Sequence, residues 1–315
     1  VAAGVINPVT GRWMTKTWAI DTLLPIAETF YRALETALQI EIYHPIPLLR
    51  YCQNQDDAKR LGRRMRNPRY ANVLGDFMPA GSGHPAIEDT HGSFQIKGAA
   101  YVDLPQLIGK LQAHFTRSGR LDDKDLDYDQ IKKHVDGWKY KAHRYKRIIF
   151  CEGYGLRKNP WFNHLPFNPA KGETILLKAD ALELPKTLYH HKKWILPYGD
   201  NRFRIGATYD ETDLTTTPTA DGAAQLMDAL KEFIVETTDF EIESHVAGIR
   251  PGTPDARPLL GAHPTEPSLF LLNGLGAKGA SLAPHMSQLL IEHIFESTQL
   301  SPEIDLNRFT ENATH

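Results

Sequence analysis

Two segments of this 315-residue chain place glycines and cations where small-molecule chemistry needs them. Gly274-Leu275-Gly276-Ala277-Lys278-Gly279 is a literal G-x-G-x-x-G. Glycines at that spacing permit a tight turn and close approach of a ligand to the backbone. A helix starting there adds free N–H donors and the positive end of its dipole. A dinucleotide fingerprint, however, opens a βαβ unit and has an acidic residue about 20 positions on. Here the chain soon runs into polar sequence, so this is not a conventional NAD site, and a structural turn fits equally well. The second segment is the loop from Gly248 to Pro258, restricted by glycines and prolines. Its Arg250 suits bidentate capture of a carboxylate. A surface turn, with Arg250 and Asp255 paired to neighbours, is the alternative.

Other chemistries lack an anchor. The 14 histidines show no His-x-x-x-His or Cys/His spacing, so no metal site is expected, and His84, His91, His190 and His191 read as loop residues. There is no Gly-x-Ser-x-Gly and no P-loop lysine. Cys52 and Cys151 make no disulfide framework. With 36 basic and 38 acidic side chains the formal charge is −2, which gives no global footprint for phosphate backbones. No apolar run approaches the ~18 residues of a membrane span. The expectation is a cytoplasmic protein with neither membrane nor nucleic acid as partner.

Mixed α/β elements must position these segments. Ile20, Leu23, Leu24, Ala27, Tyr31, Leu34 and Leu38 recur at helical spacing, with Asp21 placed to cap the start and Pro25 near the first turn. Short strands are expected at 40–44 and 48–51. The Arg-rich stretch 56–69 reads as a helix whose Arg60, Arg63, Arg64, Arg66 and Arg69 form a solvated face, with contact to an anion as the alternative, and 72–92 is rich in Gly, Pro and His. Tyr101-Val102 feeds a helix carrying Leu104, Leu107, Ile108, Leu111 and Phe115, ended by Gly119. Residues 122–129 are acidic and turn-like. Arg147–Cys151 reads as a strand buried on both faces before the turn Glu152-Gly153-Tyr154-Gly155. Strands follow at 174–177, 194–197 and 203–208, then a helix at 221–235. Strand 269–272 and a helix over 280–295 enclose the glycine turn.

Taken together, several segments resemble the D-amino-acid oxidase superfamily of FAD-dependent oxidoreductases, which includes glycine oxidase and sarcosine oxidase. They are Ala2-Ala3-Gly4-Val5-Ile6-Asn7-Pro8, then Ile148–Gly155 with Lys171-Gly172-Glu173 downstream, and Arg204-Ile205-Gly206-Ala207-Thr208. The most specific is Gly248–Gly261 followed by Asn273–Pro284. The resemblance covers essentially the whole chain and is weakest over 50–98.

The resemblance implies an FAD-binding Rossmann-like domain formed by 1–39, 99–155 and 246–315, interleaved with a β-rich substrate or cap domain of 40–98 and 156–245. It places Ala2, Ala3, Gly4, Ile6, Gly153, Gly274, Leu275, Gly276, Ala277, Lys278 and Gly279 at non-covalent FAD, the glycine turn lying at the isoalloxazine. Arg250 would pair with the substrate carboxylate, and Arg204 would stand near the position of a lysine that faces the flavin in sarcosine oxidases. The family's pyrophosphate-binding turn is expected before Val1, in a longer gene product, so residues 1–315 alone are expected to retain FAD weakly. The activity implied is oxidation of a C–N bond in a small amino acid or secondary amine by hydride transfer to flavin N5. Alternatives are the oxidase half of a tRNA wobble-uridine modifying enzyme, its basic surface supplied by Arg60–Arg69, and a flavin-binding dehydrogenase or module without amine oxidase activity.

Overall fold

The computed structural model describes residues 2–235 and 239–309. Its α-helices are α1 (Ile20–Leu38), α2 (Gln55–Met65), α3 (Leu104–Arg117), α4 (Ala220–Lys231) and α5 (Gly279–Glu296). The chain divides into two compact units, Val1–Gln106 with Lys171–Gly248, and Leu107–Ala170 with Ile249–His315.

In the first unit, α1 buries Ile20, Leu23, Ala27 and Tyr31 along one stripe, as their spacing dictates. Asp21 does not cap it. The N-cap position is Ala19, without a side-chain bond, and Asp21 sits inside the first turn, where it accepts from Lys16 Nζ at 2.6 Å. Helix α2 ends at Met65 because Pro68 holds Asn67 in extended backbone. Arg66 and Arg69 therefore lie beyond it. Asn54 caps its start, accepting the Asp57 N–H at 3.0 Å.

Two sheets carry this unit. Ala100–Val102 pairs antiparallel with both Val5–Ile6 and Tyr43–Pro45. That pairing groups residues 1–39 with 40–98, so the compact units do not follow the functional division expected from the sequence. The larger sheet has eight strands in the order Glu241–Arg250, Ala170–Lys178, Arg202–Gly206, Trp194–Gly199, Leu188–His190, Leu48–Tyr51, Ser93–Ile96 and Leu74–Met78. Leu74–Met78 falls inside the Gly-, Pro- and His-rich stretch 72–92, where no strand was expected, and Ser93–Ile96 directly follows it. Phe94 and Ile96 are fully buried there, in one core with Leu48 and Leu196. A second core joins Ile175, Ile195, Ile205, Leu226 and Leu230, fixing α4 against the sheet.

In the second unit, Leu269–Asn273 runs parallel to Ile148–Phe150 and antiparallel to Leu259–Ala262. The expectation of a strand buried on both faces fails here. Among the described residues Ile148–Phe150 is bonded on one side only, and one of its faces is open: Ile149 is 41% exposed and Cys151 is exposed too. Helix α3 buries Leu107, while Ile108 and Phe115, expected on its apolar side, are exposed. A three-stranded meander, Ile131–His134, Gly137–Tyr140 and His143–Tyr145, was not legible as strands. Trp138 anchors it, buried in the core of Phe150, Leu156, Phe162, Leu259 and Leu271, with Nε1 donating to Ser268 Oγ at 2.9 Å.

Candidate active site

In the second unit the strand Leu269–Asn273 delivers the glycine turn, and Asn273 locks it. This side chain is 2% exposed. Its Nδ2 donates to the Gly153 carbonyl at 3.0 Å, and its Oδ1 accepts the Gly274 N–H at 2.8 Å. One amide thus joins two of the glycine turns singled out in the sequence. At Gly274, φ is +72° and a Cβ would fall 2.9 Å from Thr253 Cγ2, so both conformation and space demand glycine.

The Arg250 loop is held to the same turn. Gly276 N–H donates to the Pro251 carbonyl at 3.2 Å, and Asn168 N–H to the Gly252 carbonyl at 2.8 Å. Thr253, 4% exposed, closes the loop by exchanging two bonds with the Arg257 backbone. Arg250 is half-buried at the end of its strand. Asp255 is paired, as the surface-turn reading had it, to Arg308 at 2.7 Å.

Helix α5 begins at Gly279, one residue before the start expected at Ala280. Its N-cap, Lys278, contributes no side-chain bond, and its first turn holds no acidic residue. Burial, then the nearby Arg257, lowers the Lys278 ammonium from its ordinary value. Asn273 and Thr253 escaped the list of site residues drawn from the sequence. An Asn directly before G-x-G and a Thr after Pro-Gly are local backbone-binding signals that would have found them.

The remaining expected positions lie in the first unit. Gly4 has φ +70°, and a Cβ there would sit 1.9 Å from the Val102 carbonyl oxygen. Ala2 is exposed, Ala3 half-buried and Ile6 buried. Arg204 lies with its guanidinium 5.1 Å from the Tyr198 ring. Tyr198 donates to Asp103 at 3.4 Å and lies 6.4 Å from Tyr101, which stacks on His44 at 4.5 Å. Burial, followed by the Asp103 charge, raises the Tyr198 phenol.

Residues 1–293 match the family described as DAO, FAD dependent oxidoreductase. The chain belongs to this family. A glycine oxidase of Pseudomonas aeruginosa is 26% identical over 298 residues, 87% of this chain and 79% of that enzyme. One from Bacillus subtilis is 33% identical over 144 residues, 44% of this chain and 39% of the relative. A tRNA 5-methylaminomethyl-2-thiouridine biosynthesis bifunctional protein of Marinobacter nauticus is 26% identical over 60% of this chain and 33% of its own length. Among solved structures, glycine oxidase from Geobacillus kaustophilus superposes with a TM-score of 0.77 at 22% identity, covering 98% of this chain and 86% of that one. Iminodiacetate oxidase from Chelativorans sp. BNC1 gives 0.76 at 21%, covering 96% and 88%.

The DAO family is FAD-dependent, and the residues present fit that cofactor. A Cβ at Gly279 would meet nothing within 4 Å, and one at Gly276 only the Gly252 Cα at 3.8 Å. The space beside these two glycines is therefore open, which suits close approach of a ligand edge to the turn and to the start of α5. Gly274–Gly279 are the residues that would hold it.

Proposed function

We propose that this DAO-family oxidoreductase oxidises the C–N bond of a small amino acid or secondary amine bearing a carboxylate. Bound FAD supplies the hydride acceptor. The chain's own contribution is orientation and electrostatics. Arg250 would hold the substrate carboxylate in a two-bond fork, which fixes which α-hydrogen faces the flavin. The α5 N-terminus, with Lys278 at its cap, would favour negative charge on the ring edge it faces. Arg204, the middle residue of Arg202–Gly206, would stand on the substrate side. On this reading 1–39, 99–155 and 246–315 serve the cofactor, and 40–98 and 156–245 the substrate.

The Gly276–Pro251 bond carries the reading, because it ties the loop that bears Arg250 to the turn assigned to the flavin. Relatives named as glycine oxidase and iminodiacetate oxidase suggest the first compounds to try. Protein loaded with FAD and mixed without oxygen with glycine, N-methylglycine or iminodiacetate should lose its yellow colour with at least one. Flavin that stays oxidised with every carboxylated amine, yet is reduced by dithionite, would refute the amine-oxidation reading and leave a flavin-binding module.

A further inference from the structure

Three arginines converge on one loop of the first unit. Arg50 Nη2 donates to the Gly11 carbonyl at 2.9 Å, Arg60 Nη1 to that of Arg12 at 2.9 Å, and Arg64 Nη2 to that of Trp13 at 3.2 Å. The loop brings a fourth cation, Arg12, whose guanidinium lies 4.8 Å from the Trp13 ring, as does that of Arg60. Arg12, Trp13, Arg50 and Arg60 line a recess of about 310 Å³ together with Asp56 and Asp57, and it meets two further arginine-lined concavities at Arg60.

The charges in this recess do not balance. Asp57 is engaged by Arg60 at 2.8 Å, and Asp56 lies 3.6 Å from Lys59. Neither Arg12 nor Arg50 has a carboxylate within ion-pair distance among the described residues. Arg50 is 4% exposed, and its Nη1 is buried with no hydrogen-bond partner. A buried guanidinium with an unused donor is costly, and an anion in the recess that Arg50 lines would offset part of that cost. Arg12 and Arg50, neither of them ion-paired, suit a phosphate monoester, which carries about −1.5 to −2 at neutral pH and three acceptor oxygens. A carboxylate has half that charge and two oxygens. The recess volume falls in the range of small-molecule sites, roughly 300–1,000 Å³.

We propose that the Arg12–Arg50–Arg60 recess binds the phosphate group of a small soluble ligand. The site is independent of the amine-oxidation reading, and so is its test. Inorganic phosphate and ribose 5-phosphate are titrated calorimetrically into the purified chain against sodium chloride of equal ionic strength. Saturable binding with a dissociation constant on the order of 1 mM or tighter is expected. Tighter binding of ribose 5-phosphate would mark a phosphorylated metabolite, and equal binding phosphate itself. Arg50→Lys, which keeps the charge but loses the fork, should weaken binding by about tenfold. The exposed Arg12→Gln, whose fold is not at risk, should weaken it by about fivefold, and Arg63→Gln, which lines only the neighbouring concavities, by less than about twofold. No saturable binding up to roughly 20 mM phosphate, or equal losses in Arg12→Gln and Arg63→Gln, would overturn the proposal.

Discussion

Asn273 and Gly153 are joined by a single half-buried hydrogen bond, side-chain Nδ2 to backbone oxygen at 3.0 Å, across 120 positions of sequence. The same side chain holds the Gly274 N–H. Asn273→Ala removes both partners and leaves a half-buried carbonyl and a buried N–H unmatched, a loss of about 2–4 kcal/mol at the usual worth of such groups. Asn273→Asp keeps the acceptor and forfeits the donor, so it should fall between the two. Urea unfolding checks the order. Equal stability of Asn273→Ala and the parent chain would show that the turns hold each other without the staple.

Gly252 and Gly109 should respond to alanine in opposite directions. A Cβ at Gly252 would approach the Asn168 carbonyl oxygen to 2.5 Å, and backbone cannot swing aside as a side chain can. Gly252→Ala should therefore destabilise by about 1–3 kcal/mol and displace the loop that follows Arg250. Gly109 lies inside α3, where a Cβ meets nothing within 4 Å. Alanine there should stabilise by about 0.5–1 kcal/mol through helix propensity. Paired thermal melts read both signs. A destabilising Gly109→Ala would mean that the face of α3 is covered in solution.

These two positions show what the sequence could reveal. The turn at Gly274–Gly279 and the helix after it were legible because glycine spacing and apolar periodicity are local signals. The function of Gly252 was half legible, since Pro-Gly marks a loop but not the Asn168 carbonyl pressed against it. The Asn273 staple was hidden because its meaning lies in a residue 120 positions away. The meander over 131–145 was hidden for another reason. Its strands Ile131–His134 and His143–Tyr145 are mostly exposed and rich in Lys, His and Arg, so no apolar run announces them. The Asp136-Gly137 turn beside Trp138 was the available clue. Ile148–Phe150 misled in the opposite sense, since its apolar run sits at an edge.

Acid should strip one identifiable contribution from the first unit. The hydrogen bond from Lys171 Nζ, followed by the Thr215 hydroxyl and N–H, holds the Asp213 carboxyl down to about 2. An unfolded Asp titrates near 3.9. A carboxyl depressed in the folded chain adds stability above the unfolded value and loses it as pH falls through the folded one. The contribution is therefore complete above about pH 4 and gone near pH 2. Urea midpoints should drop more steeply across that window in the parent chain than in Asp213→Asn. Parallel profiles would mean that Lys171 pairs as well with Glu173, 3.4 Å away, when Asp213 is absent.

The sharpest test of the proposed chemistry is Arg250→Lys. A carboxylate entering a partly dry pocket needs a cation, and the guanidinium offers two parallel N–H···O bonds where an ammonium offers a point charge. Pro251 and Gly252 follow directly, their carbonyls tied to Gly276 and Asn168, so the arginine is held with little backbone freedom left to lose. The variant should bind FAD as well as the parent chain does, because the Gly276 bond uses the Pro251 backbone and not the Arg250 side chain. Turnover of a carboxylated amine should fall by about 2–4 kcal/mol in kcat/KM, the worth of a buried charge-assisted pair. An amine of similar size without the carboxylate should lose far less. Steady-state kinetics on the two substrates, with flavin content measured alongside, gives the comparison. Equal losses on both would place Arg250 in support of the flavin or the fold, and the carboxylate clamp would have to be sought elsewhere, with Arg204 the next cation to replace.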